Sequence, residues 1–273
     1  MSSPGSSGPT SSLIQRLISS IVIFPIVLGL LALGGWWFSA LVLVVMSLAT
    51  WEYVRMLRHH GYRAPYAFAI LALWAILSDF SFPDIRLLQP TMALLLFVSL
   101  CWHILRDRTS TKLENWLLPL GGALYIGWMA GHMLLLRALD RGGYLVFLSF
   151  AAIWLADSAA YFVGRAWGKH RMAPHLSPKK TWEGMVGGIV VSIVGSAIIA
   201  VLGDLNWAHG ALLGLLVSTL APMGDLGVSM IKRQVGVKDT SNLIPGHGGV
   251  FDRIDSLLIA AIVGYYYIIW VMQ

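Results

Sequence analysis

Residues 229–255 read SMIKRQVGVKDTSNLIPGHGGVFDRID, and this stretch decides how the rest of the chain must be arranged. It sets four basic residues, Lys232, Arg233, Lys238 and Arg253, and three aspartates, Asp239, Asp252 and Asp255, between two apolar runs. Pro245 and the Gly246-His247-Gly248-Gly249 cluster mark its middle as turn-rich. A polar, turn-rich segment between apolar runs of crossing length is a loop held between two membrane helices.

The composition of the whole chain agrees with that reading. Its 273 residues are 57% hydrophobic and 12% charged, with a mean hydropathy of +0.73, which is too apolar for a soluble domain. The expected fold class is therefore all-α, a polytopic membrane protein of about nine transmembrane helices. The net charge of +6 does not point to nucleic acid, because the basic residues are scattered between apolar runs and form no stripe or domain. Cys101 is the sole cysteine and lies in a hydrophobic run, which excludes a disulfide framework and a cysteine metal site.

In chain order, residues 1–12 are rich in Ser, Gly and Pro and read as a disordered tail. Apolar spans follow at 13–33, 36–57, 66–82, 90–105, 116–136, 144–163, 185–202, 207–231 and 254–271. The first is too long for the apolar part of a signal peptide and reads as an uncleaved helix. The division is a tail at 1–12, N-terminal helices at 13–112, and a region at 113–273 carrying polar loops 164–184 and 232–253. With the N-terminus in the cytoplasm, sixteen of the nineteen Lys and Arg residues fall on the inner side, and only Arg86, Arg137 and Arg141 on the outer. Both polar loops are then cytoplasmic.

The side chains of the two loops suit phosphate and metal chemistry. Lys232, Arg233, Lys238 and Arg253 can neutralise phosphate oxygens, Asp225, Asp239, Asp252 and Asp255 are hard oxygen donors of the kind Mg²⁺ takes, and Gly248 and Gly249 let backbone N–H groups approach an anion. On a helix Asp225, Ser229 and Lys232 share one face. The other loop carries Ser177-Pro178-Lys179-Lys180-Thr181-Trp182-Glu183, whose adjacent lysines precede a helix start and could cradle a triphosphate. Asp157 and Asp225 lie inside apolar spans, where a carboxylate normally faces a water-filled cavity or a partner.

Each group also admits a plainer reading. Asp252 and Asp255 could be a helix cap and a first-turn acid, the lysines and arginines could be positive-side anchors, and Asp157 could pair with Arg165 or a loop lysine. Glu52, near the inner end of its helix, reads as a partner of Arg55 or as a residue at the interface. Ala156, Ala160 and Gly164, and likewise Gly184 and Gly188, have the four-residue spacing of close helix packing. The twelve tryptophans suit interfacial belts. The sequence holds no P-loop, no GxGxxG fingerprint, no nucleophile elbow and no clear internal repeat.

The long stretch resembles the signature of the phosphatidate cytidylyltransferases, the CDP-diacylglycerol synthases. Ser229, Lys232-Arg233, Lys238-Asp239, Pro245, His247-Gly248-Gly249 and Asp252-Arg253 with Asp255 follow the family pattern without departure, and Ser177 to Glu183 is similar to a second family segment. The resemblance implies transfer of CMP from CTP to phosphatidate, forming CDP-diacylglycerol and pyrophosphate for phospholipid synthesis. It implies catalytic roles for Asp225, Asp252, Lys238 and Asp239. Substrate contacts would come from Asp157, Ser177, Lys179, Lys180, Ser229, Lys232, Arg233, His247, Gly248, Gly249 and Arg253. Mg²⁺ would be the cofactor, held by Asp225, Asp252 and Asp255. Partners would be CTP, phosphatidate and membrane lipid, with a homodimer as the candidate assembly and no nucleic acid. The expected location is the bacterial inner membrane with the site facing the cytoplasm. A CTP-dependent lipid kinase and, more distantly, an ion or solute transporter are the alternatives.

Overall fold

The computed structural model describes residues 9–86, 88–106 and 113–272. Ten helices run in the order α1 (Pro9–Leu33), α2 (Gly35–His59), α3 (Tyr66–Ser81), α4 (Leu88–Arg106), α5 (Leu113–Ala138), α6 (Gly142–Trp167), α7 (Trp182–Leu202), α8 (Trp207–Leu220), α9 (Pro222–Gln234) and α10 (Phe251–Tyr267). Among the described residues, seven stretches are long and apolar enough to cross a membrane, the α8–α9 pair counting as one, and two shorter apolar stretches lie at Ile18–Leu33 and Tyr66–Ser81. The all-α polytopic class is thus observed. Residues 1–8 of the expected tail, together with Arg108 and Lys112 of the inner basic set, lie outside the described residues, and α1 already begins at Pro9.

Two departures from the sequence reading bear on function. The loop at 164–184 contains an antiparallel hairpin of β1 (Arg171–Ala173) and β2 (Ser177–Thr181), with Arg171 opposite Thr181 and Ala173 opposite Ser177. The expected single helix at 207–231 is broken at Ala221–Pro222. Proline has no N–H to donate to the preceding turn and its ring crowds the carbonyl four residues back, so α9 starts afresh with Pro222 in its first turn. The break places Asp225 in the first turn of α9, where the helix dipole favours a carboxylate.

α10 is the hub, packing on α2, α5, α6, α8 and α9. α6, α7 and α8 form a tight layer whose contacts are made by small residues. The buried face of α7 is Gly184, Gly188, Ser192, Ser196 and Ala200, every fourth residue, while Val186, Val190, Val194 and Ile198 point outward. Lipid is as apolar as valine, so burial of large side chains drives nothing here, and helices associate by close backbone approach at small residues. A β-carbon on Gly188 would sit 2.7 Å from the Ala156 carbonyl oxygen, and one on Gly184 equally close to that of Ala160. The four-residue spacing seen in the sequence is therefore a packing seam. Ser192 ties the layer together by donating to the carbonyls of Ala152 (2.8 Å) and Gly214 (3.1 Å).

Two of the three arginines expected on the outer side serve helix ends. Arg137 donates to the Leu31 carbonyl at 3.1 Å at the close of α1, and Arg141 donates to the Gly203 carbonyl just past α7. A cation suits that position because the last carbonyls of a helix lack intrahelical donors.

Candidate functional site

Thr181 begins the site locally. It caps α7 by accepting from the Gly184 amide (3.2 Å), while Glu183 folds back on the start of the hairpin and accepts from the Lys169 and His170 amides at 3.1 and 3.2 Å. Glu183 also meets the His170 ring at 2.6 Å. These bonds fix the hairpin against the α7 N-terminus, so that Lys179 and Lys180 line a cavity of about 210 Å³. Asp157 and Tyr161 of α6, Met172 of β1, Met185 of α7, and Ser218 and Pro222 beside the α8–α9 break also line it. Asp157 makes no ion pair among the described residues: Arg165 donates to the Tyr161 hydroxyl (3.1 Å) instead.

The two polar motifs meet through Lys180, which lines this cavity. Lys180 Nζ lies 2.6 Å from Asp225 Oδ2, joining β2 to the first turn of α9. Ser229, one turn on, donates to Asp225 Oδ1 at 3.4 Å, the i to i+4 relation expected on a helix. Buried Asp255 of α10 faces Asp225 closely enough for the two carboxylates to interact, and Lys232 reaches it electrostatically. Gly224 permits this approach, since a β-carbon there would strike the Asp255 backbone carbonyl.

Asp252, an expected Mg²⁺ ligand, is engaged by protein donors on both oxygens. Its Oδ1 takes the Lys232 ammonium at 2.7 Å, with the two side chains only 6% and 9% exposed. Its Oδ2 accepts from the Thr240 amide (2.9 Å), the Thr240 hydroxyl (3.0 Å) and the Gly249 amide (3.1 Å). A carboxylate with both oxygens so engaged is a junction between α9, the loop and α10, and it leaves Asp225 and Asp255 as the facing pair. Among the described residues no three His, Cys, Asp or Glu side chains converge as a metal cage would require.

The glycine-rich turn follows ordinary backbone rules. Ile244-Pro245-Gly246-His247 closes with the His247 amide donating to the Ile244 carbonyl at 2.9 Å, and Gly246 sits at a φ of 78°, as the third position of such a turn demands. Arg253 donates to the His247 carbonyl (2.9 Å), and the His247 ring contacts the Ser19 hydroxyl of α1 at 2.9 Å. Arg233 donates to the Val237 carbonyl (3.1 Å), Lys238 and Asp239 are exposed, and half-buried Ser177 lies on β2. Gly248 pairs with Ile244 in an isolated bridge. The structure thus brings Asp157, Lys179, Lys180, Asp225, Ser229, Lys232, Asp252 and Asp255 into one continuous region, with Lys238 and Asp239 on its exposed loop and Arg233 and Arg253 exposed on the helix ends that flank the loop.

Sequence reasoning missed Glu52. This residue of α2 is fully buried, and both its oxygens accept: Oε1 from the Ser241 hydroxyl and the Val250 amide (3.0 Å), Oε2 from the Thr240 hydroxyl (3.2 Å) and the Phe251 amide (2.8 Å). Arg55, its expected partner, lies over the Trp51 ring. The one available signal was a glutamate inside an apolar span, the criterion that singled out Asp157.

The sequence pattern of the cytidylyltransferase family matches residues 14–271. A phosphatidate cytidylyltransferase from Synechocystis sp. is 34% identical, the match covering 93% of this chain and 96% of the relative. The enzymes of that name from Bacillus subtilis and Haemophilus influenzae are 34% and 35% identical, over 89% and 90% of this chain and 93% and 95% of theirs.

Proposed function

The chain belongs to the cytidylyltransferase family, and on that premise we propose that it is a phosphatidate cytidylyltransferase, which transfers CMP from CTP to phosphatidate in the synthesis of phospholipids. A phosphate oxygen of phosphatidate forms a bond to the α-phosphorus of CTP while the bond from that phosphorus to the β-bridging oxygen breaks. CDP-diacylglycerol and pyrophosphate result. The nucleophile is already an anion, so what the chain must supply is alignment of two mutually repelling phosphates and neutralisation of the leaving group.

The observation that carries this reading is the Lys180–Asp225 contact at 2.6 Å, which joins the hairpin motif to the signature helix beside one cavity. Lys179 and Lys180 offer ammonium groups to the CTP phosphates from the cavity wall. Asp157, which lines the same cavity, is suited to accept hydrogen bonds from the nucleoside. Lys238, Arg233 and Arg253 bring positive charge to the departing pyrophosphate, and the Gly248–Gly249 backbone allows close approach. Ala156, Ala160, Met172 and Met185 give the cavity an apolar side for lipid.

Mg²⁺ suits the facing oxygen donors of Asp225 and Asp255, because this ion is commonly held by one or two carboxylates with substrate phosphates and water completing its shell. When bound it would neutralise charge on the CTP phosphates. In this arrangement Lys180 orients Asp225, and Lys232 with Asp252 holds the α9–α10 junction behind Asp255. The site and the N-terminus face the cytoplasm of a bacterial inner membrane in this reading, supported by the excess of Lys and Arg in the segments that carry the site.

The fate of one phosphorus atom tests the reaction. Purified protein receives α-labelled or γ-labelled CTP with phosphatidate micelles and Mg²⁺, and the lipid phase is counted. Cytidylyl transfer puts only the α-label into lipid. Label from γ-CTP would establish a kinase instead, and label from neither would remove the enzymatic reading.

A further inference from the structure

Glu52 lies 188 residues before Thr240 and 199 before Phe251 in sequence, yet its two carboxylate oxygens accept four hydrogen bonds from the signature segment. Val250 and Phe251 open α10, and their amides are among the N–H groups that a helix leaves without intrahelical partners. Glu52 takes one on each oxygen, so α2 caps α10 across the bundle. The same two oxygens hold the hydroxyls of Thr240 and Ser241, fixing the other end of the loop. Thr240 is moreover shared with Asp252, which continues the chain of contacts to Lys232 of α9. A β-carbon on Gly249 would approach Glu52 Oε2 to 2.6 Å, so the backbone passes the carboxylate with no room for a side chain.

We infer that Glu52 is the positioning residue of the reaction: it fixes the signature loop and the start of α10 in the geometry that presents Lys238, Arg253 and Asp255 to substrate. This rests on the cytidylyltransferase reading for its kinetic consequence, but its mechanical consequence stands alone. Four donors converge on two acceptor oxygens, and an amide in the same place would turn an NH₂ toward donors. Glu52→Gln therefore preserves volume while unseating one side of the clamp. Because the loop moves and the cavity wall at Lys179 and Lys180 does not, turnover suffers and lipid binding does not.

The test uses the full chain in detergent with Cys101→Ser. A spin label at Leu243→Cys, exposed on the loop, reports loop motion, and one at Leu105→Cys, exposed on α4, serves as reference. In Glu52→Gln the label at 243 becomes more mobile, the label at 105 is unchanged, kcat falls at least tenfold, and KM for phosphatidate stays within threefold. Wild-type kcat, an unmoved label at 243, or equal loosening at both positions would overturn the inference, the last because it signals general unfolding. Should Glu52→Gln yield no folded protein, Ser241→Ala removes one donor from the clamp: a two- to fivefold lower kcat with a loosened 243 label is expected, and wild-type values of both would overturn it. If the parent protein gave no CTP-dependent pyrophosphate release, the functional reading would fail, while the two labels would still decide whether Glu52 holds the loop.

Discussion

Replacing Lys232 by methionine isolates the energetics of the junction beneath the site. At 2.7 Å and an effective dielectric constant of about 20, the gross attraction of the pair is about 6 kcal/mol. Withdrawing two charges from water costs several kcal/mol for each ion, so the intact pair contributes little net stability. Removing only the lysine is different, because Asp252 keeps its charge in a buried place, and such a loss costs about 3–5 kcal/mol. Asp252 retains three donors, from Thr240 and Gly249, so the expected destabilisation is at the low end, about 3 kcal/mol. Asp252→Asn should cost less, about 1–2 kcal/mol, since Lys232 can turn its charge toward Asp255. The double variant should be less destabilised than the sum of the singles by about 1.5 kcal/mol or more. Unfolding by added sodium dodecyl sulfate in mixed micelles, followed by tryptophan fluorescence, gives all four corners of the cycle. A Lys232→Met cost below about 1 kcal/mol, the range of a solvated surface pair, or strict additivity of the two changes would refute the reasoning.

Three further outcomes follow from particular contacts. Gly188→Leu should separate α6 from α7 and cost about 1–3 kcal/mol, whereas Val190→Leu, two residues on and facing outward, should leave the unfolding midpoint unchanged in the same assay. Pro222→Ala should let α8 run into α9 and carry Asp225 away from Lys180, so pyrophosphate release should fall at least tenfold, on the order of 1.4 kcal/mol in barrier, with no loss of thermal stability. Cysteines at exposed positions 179 and 238, on a Cys101→Ser background, should both react with an impermeant maleimide from the cytoplasmic face. Labelling from opposite faces would divide the site and sink its shared placement.

Local pattern makes several features legible in the sequence itself. Apolar length located the helices, because a crossing segment must be apolar over its whole length. The spacing of Gly184 and Gly188 announced the α6–α7 seam, because a four-residue period returns to one helix face and only small residues let two backbones meet. Charge type and turn residues marked both loops, and the unusual cost of a carboxylate in an apolar span singled out Asp157 and Asp225. Tertiary structure decided what no local pattern carries. The break at Pro222 could be suspected from proline chemistry, but that it aims Asp225 at Lys180 depends on where the hairpin lies. Asp252 reads in sequence as a helix cap or a metal ligand, and only the folded chain shows its oxygens held by Lys232, Thr240 and Gly249. Glu52 is the extreme case. Near Arg55 it reads as an interfacial acid, yet its donors lie almost 200 residues away, and a hydrogen bond depends on distance in space, to which separation along the chain is no guide.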